Sequence, residues 1–175
     1  SLRELVFGLR EPQNPLRAYA ANITELPGPN AKLALYPLFR FDAGERSGIR
    51  SQLSSIDYMP EWNGFLIVTS TEDESNRYHG NTLWFLSDEK ISAARPQLSP
   101  DEIKLADLRL VEPQKVWVFG VDGKAEGVCI LSEKTASSNR QARSARVALV
   151  YDNDTAKTGL PGLLQFITLL RWPDH

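Results

Sequence analysis

The stretch KVWVFGVDGKAEGVCILSEKTASSNRQARSARVALVYDND, residues 115–154, decides the fold class. It holds two apolar strands, AEGVCIL and RVALVYD, on either side of a polar, basic loop. Paired as antiparallel neighbours, these strands bring Glu126, at the start of one, and Asp152, at the end of the other, to one rim of a sheet. Asn153 and Asp154 follow directly on that rim. Carboxylate and amide oxygens are hard donors of the type that suits calcium or magnesium. Glu126, Asp152 and Asn153 are therefore the metal-ligand candidates, and calcium or another divalent ion is the implied cofactor. The competing reading is a solvated turn beside a strand-end carboxylate, and the spacing of the acids does not match an EF-hand loop.

Outward from this stretch the chain keeps the same character. LVFGLR (5–10) ends at the breakers EPQNP, and LRAYAANIT runs into the turn cluster LPGPN. AKLALYPLFRF reads as a strand that is an edge or is bulged at Pro37, because proline has no N–H to give to a ladder. QLSSIDYM and GFLIVTS flank Pro60-Glu61-Trp62-Asn63, and Asn63-Gly64 is hairpin-turn chemistry, so residues 52–70 are predicted to form a β-hairpin. NTLWFLS, KLADLRLV and KVWVFGV add further strands, and a helical turn is expected to start at Pro100. GLPGLLQFITLLRW fits a helix face about as well as a buried strand. Its β-branched Ile167 and Thr168 and its Pro and Gly flanks favour the strand. Ten or eleven strands and almost no amphipathic helix make the class all-β.

An internal repeat refines this. QLSSIDY (52–58) over KAEGVCI (124–130) matches Leu53 with Ala125, Ile56 with Val128 and Tyr58 with Ile130, and each segment is followed by an apolar run, FLIV or VALV. Recurrence of a hairpin plus one or two strands is what stacked four-stranded blades produce. The pieces FGLREP, GIRSQLSSIDY with GFLIVTS, TLWFLSD, and KAEGVCIL with VALVYDND resemble the carboxy-terminal part of an uncharacterised bacterial β-propeller family, a domain of unknown function. The resemblance implies a partial propeller of about three blades, each a four-stranded antiparallel sheet, with residues 1–175 as one propeller-type domain and the first blades of the ring lying elsewhere. KAEGV is also similar to a Glu-Gly element of phytase-like esterases and gluconolactonase-like lactonases. In the lactonases that glutamate binds a divalent metal in the central channel, and the matching residue here is Glu126. The lactonase pattern has proline after Glu-Gly, where this chain has Val128.

Composition limits the partners. Twenty basic residues against 22 acidic ones give a net charge of −2, which leaves no footprint for nucleic acid or an anionic membrane. No apolar run approaches the ~20 residues a membrane helix requires. The single cysteine, Cys129, excludes an intramolecular disulfide and reads as a buried strand residue. With two histidines, one of them the last residue, a serine triad or a His-rich metal site is hard to build. The chain opens Ser-Leu-Arg, and the expectation is a trimmed amino terminus, with no signal peptide visible and the compartment open.

Other polar residues form a secondary set. Glu72, Asp73 and Glu74, with Arg77 and His79 nearby, make an ionisable loop, and two close acids raise one another's pKa. Arg46 and Arg50 flank Gly48 and suit a phosphate or carboxylate. Arg50, Asp57 and His79 are the ligand-binding candidates. Trp62, Trp84, Trp117 and Trp172 are expected to pack between sheets. The functional expectation is a binding or scaffold module of unknown ligand. The alternative is a divalent-metal-dependent hydrolase of phosphate esters, carboxylic esters or lactones. Open blade edges in a partial ring predict a partner, either the missing propeller half or a second copy.

Overall fold

The computed structural model describes residues 3–9, 15–23, 33–75, 77–100, 102–119, 123–135, 143–152 and 163–171. Within them the fold is all-β, built from successive small sheets in a partial propeller-like arrangement with no closed barrel. The first sheet has the order β1 (Arg3–Leu9), β2 (Leu16–Ile23), β3 (Tyr36–Phe41), β9 (Leu110–Val111). The second has the order β10 (Gln114–Phe119), β8 (Tyr78–Ser87), β7 (Gly64–Glu72), β6 (Gln52–Met59). The third joins β11 (Lys124–Thr135), β12 (Arg143–Asp152) and β13 (Leu163–Arg171). A two-residue ribbon, β4 (Glu45–Arg46) with β5 (Ile49–Arg50), projects ahead of β6. The ladders are antiparallel except at β3 and β9, which pair in parallel over Arg40–Leu110 and Phe41–Val111. The expectation of uniformly antiparallel four-stranded blades is thus corrected at the first sheet, and the third has three strands among the described residues.

The middle sheet is covered on both sides. Phe65, Ile67, Trp84 and Leu86 pack with Ala18, Phe39 and Phe41 of the first sheet. Their neighbours Leu66, Val68, Leu83 and Phe85 pack with Val128, Val147, Leu149 and Tyr151 of the third. Successive strand residues point to opposite faces, so a continuous apolar run such as FLIV serves two cores at once. Each fully buried aliphatic of this kind stabilises by about 1.5–3 kcal/mol.

The repeat appears in the structure as β6 and β11, edge strands of adjacent sheets that lie against each other. The Val128 N–H donates to Ser55 Oγ at 3.0 Å, and the Ile130 N–H donates to Asp57 Oδ2 at 2.9 Å. Both strands carry a bulge near their start, between Leu53 and Ser55 in one and between Ala125 and Gly127 in the other. The bulged residues, Ser54 and Glu126, are equivalent in the superposition that defined the repeat.

Most local expectations hold. Hairpin 52–70 forms with Asn63 in the left-handed region at φ 49°, as the Asn-Gly step predicts. The register slips opposite Pro37, between Ala18 and Tyr19, and β9 reaches only the far end of β3. Segment 163–171 is a strand.

Residues 88–94, to which the sequence reading assigned no strand, form helix α1 (Asp88–Ala94), capped by the Ser87 hydroxyl on the Lys90 N–H, with Asp88 and Glu89 in the first turn. Three expectations, for KLADLRLV, Cys129 and Trp117, fail. KLADLRLV is mostly turn, because the Asp107 carboxylate accepts from the Lys104 N–H at 2.9 Å and closes a 3-10 turn over Leu105–Asp107. Cys129 is exposed, since it lies on the open face of the third sheet. Trp62 and Trp84 are buried as expected, whereas Trp117 is 36% exposed and stacks on Phe119 at 4.5 Å; Trp172 lies outside the described residues.

Candidate functional site

The polar residues that sequence places in separate loops come together at the rim shared by the second and third sheets. β7 ends there at Glu72, β8 begins there at Tyr78, and β11 begins there at Lys124, which pairs in register with Asp152 of β12. The Lys124 ammonium bridges the sheets, with Nζ 2.7 Å from Glu72 Oε2 and 3.0 Å from Glu126 Oε1. Asn81, almost fully buried, adds a second tie by accepting from the Ala125 N–H at 2.9 Å and donating to the Gly123 carbonyl at 3.1 Å.

Glu126 and Asp152 therefore do share a rim. Glu126, however, faces a lysine, and an ammonium already sits between the two carboxylates nearest the proposed metal position. Among the described residues no three His, Cys, Asp or Glu side chains are grouped to hold a metal. Asn153, and Asp154 after it, lie outside the described residues, as does the side chain of Asp152. The donors that are described do not fit a divalent ion while Lys124 is in place.

Beside this bridge the loop between β7 and β8 is organised by Asp73. Its Oδ1 accepts from the Ser75 N–H, the Ser75 hydroxyl and the Arg77 N–H at 3.0, 2.7 and 2.8 Å, and its Oδ2 lies 3.0 Å from His79 Nε2. The His79 contact, with the Ser75 and Arg77 donors, holds the Asp73 carboxyl well below the usual carboxylate range. Arg46, from the β4–β5 ribbon, donates to the His79 carbonyl at 3.1 Å and ties the ribbon to this loop. Tyr78, next along β8, carries a phenol that burial pushes above its ordinary pKa.

Ribbon and loop enclose an open cleft of about 690 Å³ lined by Gly48, Ile49, Arg50, Gln52, Glu72, Asp73, Glu74 and Ser75. The ribbon turn is shaped by Ser47 and Gly48, both at positive φ. Arg50 stands on the cleft wall, 3.4 Å from Glu45 and half exposed. His79 stands behind the wall through Asp73. Asp57 does not join them, because its carboxylate takes the Ile130 and Tyr58 N–H groups and pins the second sheet to the third. Sequence reasoning named Arg50, Asp73 and His79 but missed Lys124 and Asn81. The signal for Lys124 was its place as the first residue of the segment KAEGVCI, two residues from Glu126.

The Ser75 hydroxyl is committed to Asp73, so the arrangement contains no serine nucleophile beside a histidine base. What it offers is a polar recess with a guanidinium on one wall and carboxylates on the other. No protein-family model, no curated protein and no solved structure matches this chain.

Proposed function

We propose that the chain is a propeller-type binding module whose ligand seat is the cleft between the β4–β5 ribbon and the β7–β8 loop. The observation that carries this reading is that Arg50, where the ribbon runs into the β6–β7 hairpin, and Glu74, in the β7–β8 loop, line one recess at a sheet rim. Such a seat favours a small polar ligand that presents both an acceptor for Arg50 and a donor for Glu74, since Glu72 and Asp73 are already engaged.

A melting-temperature screen against zwitterionic amino acids and small polyols tests this. A ligand at 100 times its Kd stabilises by about 2.7 kcal/mol, which is several degrees for a domain of this size. The expected hits disappear in Arg50→Ala and persist in Cys129→Ser. Hits that survive Arg50→Ala place the seat elsewhere. Calcium, magnesium, manganese and zinc added singly are expected to leave the melting temperature unchanged. A rise abolished by Glu126→Ala would support the metal-dependent hydrolase instead.

A further inference from the structure

The outer face of the first sheet carries two arginines that lack what arginines need. Leu9, Arg17, Arg40 and Leu110 form one register row across all four strands, with Arg17 directly opposite Arg40. The adjacent residues Leu16, Ala18, Phe39 and Phe41 point the other way, into the core against the second sheet. Side chains directly opposite in a ladder stand about 5 Å apart at Cβ, and like charges so placed repel. Both Nε atoms are buried, and neither has a hydrogen-bond partner among the described residues. A guanidinium cannot relieve this by losing its proton. Arg46 and Arg50, by contrast, each have an oxygen acceptor, the His79 carbonyl and Glu45.

Around the pair the face is apolar, open along β1 and at Leu110 and closed at Ala21 and Pro37. Leu5, Phe7 and Leu9 alternate outward along β1 at 37%, 37% and 38% exposure, and Leu110 is 53% exposed. A free anion would neutralise the arginines and leave the leucines wet. A carboxylate set among apolar side chains would cover both, with the fork of a guanidinium matched to its two oxygens. The open face of the third sheet does not supply one among its described residues: Cys129, Leu131, Val150, Leu164 and Phe166 are exposed, and the sheet adds another cation, Arg146, which lies over the Phe166 ring. A second copy docked in ring order would bring a third positive charge to the pair.

We propose that the outer face of the first sheet is a docking face for an apolar sheet face of a different polypeptide, whose aspartate or glutamate seats between Arg17 and Arg40. This goes beyond the rim cleft and stands or falls independently of it. The test is to supply the carboxylate from within. Arg40→Glu places it directly opposite Arg17, and the melting temperature of the isolated chain is expected to rise by about 2–4 °C, with Arg40→Gln falling between the two. Citrate, as a soluble carboxylate probe, is expected to stabilise the parent chain more than chloride at equal ionic strength and to lose that advantage in the Arg17→Gln/Arg40→Gln double variant. An Arg40→Glu chain less stable than Arg40→Gln, or citrate acting equally on the double variant, would overturn the seat. Should Arg40→Glu fail to fold, the citrate comparison decides alone. A homodimer in sedimentation that Arg40→Glu dissociates would overturn the partner, because the occupant would then be a second copy.

Discussion

Strand β7 of the second sheet buries eight consecutive residues from Gly64 to Thr71, whereas β13 of the third turns Gln165, Ile167 and Leu169 inward and leaves Leu164 and Phe166 each 51% exposed. The two strands are nevertheless similar in composition. FLIV and LLQFITLL both carry apolar residues at odd and even positions, the pattern of a sheet covered on two sides. Among the described residues only the middle sheet receives that cover, from the first sheet on one side and the third on the other. The third sheet, with its open row of Val150, Leu164 and Phe166, has the composition of an inner layer and the surroundings of an outer one. Contiguous exposed apolar area of this kind marks an interaction surface.

The sharpest way to break the comparison is to truncate one matched residue in each sheet. Ile67→Ala in the middle sheet is expected to cost about 2–5 kcal/mol in urea unfolding, since Ile67 is fully buried. Phe166→Ala should cost less than about 1 kcal/mol and should reduce binding of a hydrophobic dye. Equal losses at the two positions would mean that the third sheet is covered in solution. Next in size is a pair of glycines. A Cβ at Gly64 would stand 2.5 Å from the Leu86 carbonyl oxygen and 2.8 Å from the Phe85 ring, so Gly64→Ala should cost about 1–3 kcal/mol. At Gly127 the nearest atom would be Val150 Cβ at 3.4 Å, and the same substitution should be nearly neutral by thermal melt.

Smaller effects are expected where the two sheets meet. Lys124→Met leaves Glu72 and Glu126 facing each other without the shared ammonium, in side chains that are 19% and 33% exposed. The expected loss is about 1–2 kcal/mol, between the values of surface and buried ion pairs, and adding Glu126→Gln should restore part of it. Asp73→Asn should give the smallest change and one that depends on pH. The folded carboxyl is held below the ordinary value of 3.8, chiefly by His79, so its contribution is present above that value and fades as pH falls through the depressed folded value. Parent and variant should therefore differ in stability at neutral pH and converge in strong acid. A constant difference across that range would assign the effect to loop geometry alone.

Much of the fold was legible because its signals are local. Asn63-Gly64 marks a hairpin, Pro37 an edge or bulge, and the repeat of 52–58 in 124–130 matched two equivalent strands, whose edge positions and shared bulge only the structure shows. Helix α1 was legible too, in Ser87 followed by Asp88 and Glu89, but the surrounding run of strands masked it. The candidate site was legible only by residue type. Arg50, Asp73 and His79 could be named from sequence, yet Lys124 was overlooked, because it acts on Glu72 from fifty-two residues away (124 less 72). Asp57 was named among the ligand-binding candidates, and its partner, the Ile130 N–H, belongs to another sheet.

By itself, then, the order of apolar and turn-forming residues determined that this chain makes short twisted strands, where most of them begin and end, and which ones are equivalent. These are properties of neighbouring residues, set by backbone sterics, side-chain alternation and turn chemistry. Tertiary structure alone decided which apolar faces are covered, which carboxylate meets which cation, and that Arg17 and Arg40 stand side by side without an acceptor among the described residues. Those depend on registers and sheet contacts between residues far apart in the chain, for which no local pattern carries the information.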